Sequence, residues 1–446
     1  MKRQIWVILI LGISLAFVFT GAMAKQAGSQ ADQAAMQDYS QAMPNTIGNT
    51  TVITMVHNQT GEGLLSLEYQ TLLYETNHPN VDVRLQYVDD IFGLMQTSPS
   101  NIDIYQIDII WPGEAYFNQW VMPLDQYLQS SSVITTSDFI TGSIEAMMVN
   151  GHIVAIPWFT DAGLLYYRTD LLSKYGYTVP QTFDELKTQA LAIKVGEGLA
   201  NGFVWQGAEY EGLTCNFLEY VWGNGGDIFD PPYRVVLSST QTINALNTMV
   251  DYIHSGVSPA ATITYGEEDA RNVFQNGDAV FMRNWPYAWT LLQANGSPVK
   301  GKVGIAPMPH APGEQSAATL GGWNLAINSK SSNPDAAFAF IEFLTDYDQQ
   351  KYNALHQGVN PTRLALYHDT DVCSTNSFMC DLNTVFINAR PRPAVRNYPQ
   401  FSSNLFSEVH NALVGNKSSQ QAIKDAQVQL QSIANAHIYF PLTIEK

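Results

Sequence analysis

The stretch Thr51-Val52-Ile53-Thr54-Met55-Val56, followed by Asn58-Gln59-Thr60-Gly61-Glu62-Gly63 and then by Leu65, Tyr69, Leu72 and Leu73 at helical spacing, sets the architecture. A β-branched apolar run suits a pleated strand, and apolar residues three and four apart mark one face of a helix. The helix is expected to stop before Pro79, because proline disfavours helical geometry in the residue ahead of it. Val81, Val83, Leu85 and Tyr87 then alternate at period two, as a half-buried strand does. Residues 102–110 form another apolar run, with Asp108 at its end just before Trp111-Pro112-Gly113. Strand, loop and helix in this succession predict a parallel α/β sheet with its ligand loops at the carboxyl ends of the strands. Glu62 and Asp108 both fall at such ends.

Further along, residues 152–157 read as a strand that Pro157-Trp158-Phe159-Thr160-Asp161 breaks, which predicts a first crossing into a second domain there. Thr182 with Glu185 three residues on is a capping box, opening a helix whose apolar face carries Leu186, Ala190 and Ile193. A helix is also expected over 267–275 and a strand over 279–282. Then comes Arg283-Asn284-Trp285-Pro286-Tyr287-Ala288-Trp289. Pro286 fixes one backbone angle and removes a donor, so this segment reads as stiff and irregular, presenting flat rings to a ligand. Core packing is the competing reading for each ring, and Trp289 is the one assigned to it. Residues 302–307 read as a strand returning the chain to the first domain. Gly321 and Gly322, ahead of Trp323, let a backbone approach something closely.

A chain of 446 residues exceeds one ordinary core and implies two domains of roughly 150–200 residues. With 22 Lys and Arg against 40 Asp and Glu, the formal charge is −18. Such a surface repels nucleic acid and anionic lipid and favours a soluble monomer. At the N-terminus, Lys2 and Arg3 precede an apolar run, and Gly21-Ala22-Met23-Ala24 supplies small residues for cleavage. This is the pattern of a signal peptide over residues 1–24, cut after Ala24. An uncleaved anchor is the alternative. Residues 25–49, rich in Gln, Ala and Ser, read as a mobile lead-in. Of three cysteines, Cys373 and Cys380 could close a small loop in an oxidising compartment. Cys215, in an apolar helical run, is expected to be a buried free thiol.

The candidate chemistry lies in the loops. Glu62, Asp108 and Asp161 provide carboxylates, while Trp111, Phe159, Trp285, Tyr287 and Trp323 provide rings. Arg392 sits among prolines. Carboxylates accept hydrogen bonds from adjacent sugar hydroxyls, guanidinium donates to them, and rings cover the C–H faces. No Gly-x-Ser-x-Gly elbow, His-Glu-x-x-His helix or zinc spacing occurs, so neither a catalytic nucleophile, a metal nor a cofactor is expected. A glycosidase using two of Glu62, Asp108 and Asp161 is the enzymatic alternative.

Several runs carry a likeness to a known family: 161–168, 203–207, 283–289, 320–323 and 391–393. They resemble trehalose/maltose-binding proteins of ABC importers. The resemblance implies a type II periplasmic-binding-protein fold, with two α/β lobes joined by crossing hinge segments and closing on sugar. With the crossings placed above, the N-lobe comprises 50–157 and 307–359, and the C-lobe 158–306 and 360–446. The resemblance also implies a non-enzymatic, periplasmic receptor serving membrane permease subunits. By position it implies sugar contacts from Glu62, Asp108, Asp161, Trp285, Tyr287 and Trp323, a backbone contact at Gly322 and a hydroxyl contact from Arg392. Two departures bear on which sugar is taken. Asp89-Asp90-Ile91-Phe92-Gly93 stands where the family has a longer helix with a binding arginine, and Phe159 replaces a tyrosine.

Overall fold

Strand and helix alternate from Thr51 as the periodicity requires. The computed structural model describes residues 50–437 except residue 60 and residues 231–233; the side chains of residues 61, 62 and 435–437 also fall outside the described set. The expected signal peptide and lead-in therefore lie outside it, as does the side chain of Glu62. In chain order the strands of the two main sheets are β1 (Thr51–His57), β2 (Val81–Tyr87), β3 (Ile104–Asp108), β4 (Ile156–Ala162), β5 (Leu164–Arg168), β6 (Asn201–Val204), β7 (Ala279–Asn284), β8 (Val303–Ala306), β9 (Ala318–Ile327) and β10 (Ala389–Arg390). The helices nearest the site are α1 (Gly61–Asn77), α2 (Phe183–Glu197), α3 (Glu211–Gly223), α4 (Glu267–Gln275), α5 (Ala288–Leu292) and α6 (Tyr398–Leu413).

The first sheet is mixed rather than purely parallel. β1 runs parallel to β2 and β3, whereas β9 is antiparallel to β3 on one side and to β4 on the other. β10 pairs with the first two residues of β9. The second sheet runs β8-β5-β7-β6, with β5 antiparallel to both its neighbours. Its strands are apolar on both faces, because both are covered. Leu164, Tyr166, Val204 and Met282 join the hydrophobic cluster shared with the first sheet, while Leu165, Phe203 and Phe281 join a second cluster under α2, α3 and α6.

Local expectations hold at the Thr182–Glu185 capping box and over α4, whose bounds match. On α1 the buried face is rotated: Ser66, Leu67, Gln70, Thr71 and Tyr74 point inward, while Leu65, Leu72 and Leu73 are only partly covered. Inside, the Gln70 amide nitrogen donates to the Gln349 carbonyl at 3.1 Å.

The first crossing falls later than Pro157 suggests. β4 passes through Pro157 and stays in the first sheet to Ala162; the register irregularity between Trp323 and Asn324 absorbs the proline's missing N–H. The crossing is at Gly163, whose N–H donates to the Thr319 carbonyl. Residues 303–306 do not return the chain but form β8 in the second sheet, and the second crossing lies between Ala306 and Ala318, an interval that holds the expected boundary at residue 307. The boundary expected at residue 360 is also not clean. Thr362 and Arg363 are tied to the first sheet's side, through Pro157 and Phe139, while Phe378 stacks on Trp289 of α5 at 4.5 Å. The third crossing follows β10, since α6 packs in the second cluster.

Where the crossings meet, Arg283 on β7 and Glu219 on α3 form an ion pair with both side chains 0% exposed. Arg283 Nε donates to Glu219 Oε2 at 2.9 Å and Nη2 to Oε1 at 2.5 Å, and the Thr319 N–H adds a bond to Oε1 at 3.1 Å. A Cβ on Gly163 would lie 1.9 Å from Glu219 Oε1, so only glycine fits at this crossing. Cys373 and Cys380 form a disulfide, and Cys215 is a buried free thiol.

Two outcomes follow. In denaturant the oxidised protein should titrate one free thiol, rising to all 3 cysteines after reduction; three at the outset would refute the disulfide. Arg283→Met removes the ion-pair partner of the buried Glu219, and should lower unfolding free energy by about 3–5 kcal/mol in urea titrations.

Candidate ligand-binding cleft

Strand register builds one side of the site. In antiparallel pairs, directly opposed residues project from the same face, and so do residues two apart on one strand. Trp323 opposes both Asp108 on β3 and Phe159 on β4, and Gly321 opposes Asp161. Asp108, Phe159, Asp161 and Trp323 therefore share one face of the first sheet. Between them, Gly322 adopts φ 135°, and a Cβ there would stand 2.4 Å from the Phe159 carbonyl oxygen. Its own carbonyl accepts from the Ile109 N–H at 3.1 Å. Glycine is required for β9 to run this close to β4.

An aromatic wall flanks this face. Trp111 meets Trp323 edge to face at 5.7 Å, and Phe92 packs on Trp111 at 5.3 Å and Trp120 at 5.7 Å. Phe92 lies in the short helix after Asp90, which caps that helix by accepting from Gly93 N.

The other half of the molecule brings Trp285. Its Cζ3 lies 3.4 Å from where a Cβ on Gly321 would stand, so the glycine makes room for the indole beside Asp161. The Arg283 guanidinium covers one face of the ring, 4.2 Å from its centroid. Tyr287 is 42% exposed at the rim and donates to Glu268 Oε1 at 2.7 Å. Trp289 points elsewhere, stacked on Phe378. Arg392 enters from the third crossing. Its Nη1 donates to Glu211 Oε1 at 2.7 Å and its Nη2 to the Leu320 carbonyl at 3.3 Å. Glu211 also accepts from Tyr398 and Ser402, so both its oxygens are engaged.

The two acids differ in charge balance. Burial pushes Asp161 up to about 7, against which Asn360 Nδ2 donates to Oδ1 at 3.1 Å. Burial also raises Asp108, but the nearby Arg392 charge and the Ile110 N–H at 3.1 Å pull it back. Such carboxylates become better acceptors when ligand hydroxyls complete their hydrogen bonds. Among the described residues no group of His, Cys, Asp and Glu is arranged to hold a metal ion.

Every candidate except Glu62, whose side chain lies outside the described residues, can thus be placed. Asp108, Phe159, Asp161, Gly322 and Trp323 come together on one sheet, Trp285 faces them, Arg392 borders them and Tyr287 stands at the edge. The sequence reading missed Glu211, Glu267 and Asn360. Glu267, at the start of α4, was visible only as a helix residue, although its carboxylate accepts from Trp285 Nε1 at 3.3 Å.

Residues 63–351 match the bacterial extracellular solute-binding protein family. A probable ABC transporter-binding protein of Deinococcus radiodurans is 42% identical over 361 residues, covering 79% of this chain and 84% of its own. Among solved structures, maltose-bound MalE3 of T. maritima superposes with a TM-score of 0.73 and 44% identity, over 86% of this chain and 100% of that one. A cyclic α-maltosyl-1,6-maltose binding protein of Arthrobacter globiformis reaches 0.75 at 21% identity over 87% of this chain and 100% of that one, a likeness of fold alone. The two-lobed α/β architecture is that of type II periplasmic sugar-binding proteins.

The charge state of Asp161 yields a sign that can be checked. Folding raises its pKa, so stability is undiminished below the unfolded value near 3.8 and is lost as pH rises towards about 7. Asp161→Asn should therefore gain stability over the wild type progressively from pH 4 to about 7 in urea melts. A constant difference across that range would count against the burial argument.

Proposed function

The chain belongs to the bacterial extracellular solute-binding proteins, and from that premise we propose that it is the receptor of an ABC sugar importer, capturing a disaccharide of the trehalose/maltose type between its lobes and delivering it to membrane permease subunits. Proteins of this family hold their solute without altering it, so the chain is not an enzyme and the hydrolase alternative for Glu62, Asp108 and Asp161 falls. One observation carries the sugar reading: Asp108, Asp161 and Trp323 share a sheet face that Trp285 meets from the other lobe. Carboxyl oxygens beside apolar rings suit a ligand with hydroxyls on its edge and C–H groups on its faces. The maltose bound to the 44% identical MalE3 supports the same class.

Phe92, Trp111 and Trp120 make one end of the cleft apolar where the family resemblance leads one to look for a guanidinium. Phe159 likewise brings no hydroxyl. Both features favour a ligand that presents ring carbons there. A site built to bond a hydroxyl rejects a ligand lacking it, and removal of such partners relaxes that selection. Closure over the sugar would then shift the open–closed population in proportion to its differential affinity for the closed form. The receptor acts outside the cytoplasm as a monomer, its first 24 residues removed after Ala24; among the described residues no helix is long and apolar enough to cross a membrane.

Calorimetry against trehalose, maltose and sucrose should give stoichiometric binding of at least one neutral disaccharide. Absence of heat with every neutral sugar, alongside binding of an anion or metal, would overturn the reading. Trp285→Ala should weaken the preferred sugar by about 1–3 kcal/mol with the fold intact, the range for a lost aromatic anchor.

A further inference from the structure

Trp285 is restrained on three sides. Its Nε1–H donates to Glu267 Oε1 at 3.3 Å, and Tyr210 OH donates to the other oxygen of that carboxylate at 2.6 Å. The restraint is doubled through Asn284. Its Nδ2 donates to the Glu267 main-chain carbonyl at 3.0 Å, and its Oδ1 accepts from Trp285 N at 2.8 Å. Arg283 occupies one ring face, and the benzo edge abuts Gly321. Trp285 is only partly buried, and with Arg283 on one face a stacking ligand would take the face opposite. The ring's orientation is set by the one group that holds the indole nitrogen.

We propose that Glu267 is a positioning residue for ligand recognition: through Trp285 Nε1 it fixes the plane of the indole so that the free face is presented to the cleft. This deepens the sugar-receptor reading and rests on it. A tryptophan side chain turns about two bonds, and a ring free to swing must be ordered when a ligand stacks on it. A hydrogen bond to a carboxylate oxygen, whose partner oxygen is itself held by Tyr210, completes that ordering before the ligand arrives. The next residue acts in the same way at the rim. Glu268 accepts from Tyr287 OH at 2.7 Å and is paired with Arg271 at 2.5 Å. Consecutive glutamates at the start of α4 thus mount both rings of the Trp285–Tyr287 segment.

The test is a double-mutant cycle read by titration with the sugar that the wild type binds. Glu267→Ala should weaken binding about 5–10-fold, a typical coupling between touching residues. Glu267→Gln, whose amide can still accept from the indole and donate to the Tyr210 oxygen, should restore most of it. In a Trp285→Ala background, Glu267→Ala should have no further effect. Near-ultraviolet circular dichroism gives a readout independent of sugar: the difference between wild type and Trp285→Ala should shrink when Glu267 is removed. An equal loss in both backgrounds, or unchanged affinity and dichroism in Glu267→Ala, overturns the proposal. If Glu267→Ala does not fold, Tyr210→Phe releases the carboxylate's second partner and should cost about 2–3-fold, again only with Trp285 present; no loss overturns it. A wild type that binds no sugar would instead sink the receptor reading, while the dichroism still judges the restraint.

Discussion

The buried Arg283–Glu219 pair is the constraint on which the rest of the structure depends. It joins β7 in the second sheet to α3 beneath it, and through Thr319 N–H it reaches the first residues of β9, which lead into the first sheet. Arg283 Nη1 also donates to Gln206 Oε1 at 3.1 Å, and Gln206 Nε2 returns a bond to the Arg283 carbonyl at 3.0 Å. Two charges without solvent survive only when every donor and acceptor is matched. The matching fixes where the crossing chain runs, because Gly163 must pass where no Cβ fits. The same guanidinium backs the Trp285 ring, so the connection between the lobes and the surface offered to the ligand are set by one side chain.

Around that junction the two halves contribute differently. The first sheet supplies carboxylates, Asp108 and Asp161, on neighbouring rungs of one face. The second supplies a ring held by a carboxylate of its own, and the third crossing supplies Arg392. Because Glu211 engages Arg392 from the second lobe while Arg392 lowers the cost of charging Asp108 in the first, the guanidinium lies electrostatically between the halves. Polar contacts to a ligand therefore come from elements that the fold, not local sequence, brings together.

Periodicity and capping made much of this legible. β1, β2, the Thr182 cap and α4 are local features, encoded in residues a few positions apart. The Asp108, Asp161 and Trp323 candidates were found because acids and rings at strand ends are unusual in company. The first crossing reads too early for a physical reason: Pro157 looks like a strand breaker, yet a register irregularity in the pairing of β4 with β9 accommodates it. The antiparallel placement of β9 could not be read, since its partners β3 and β4 are distant in sequence. Glu219 did leave a trace. A glutamate between Leu218 and Tyr220 in an otherwise apolar helix is almost never fully buried unless paired. The roles of Glu211 and Glu267 left none, because each depends on a tertiary partner.

The position of β9 bears on the order in which the molecule can be completed. β3 ends roughly two hundred residues before β9 begins, yet β9 lies between β3 and β4. Until it arrives, β3 is an open edge and β4 has no partner in that sheet, and closing so long a loop is slow. Insertion of this one strand seals the edge and at the same moment sets Trp323 beside Asp108 and Gly321 beside Asp161. A partly folded chain thus has no cleft to offer, and the competence to hold a ligand appears only when the sheet is closed.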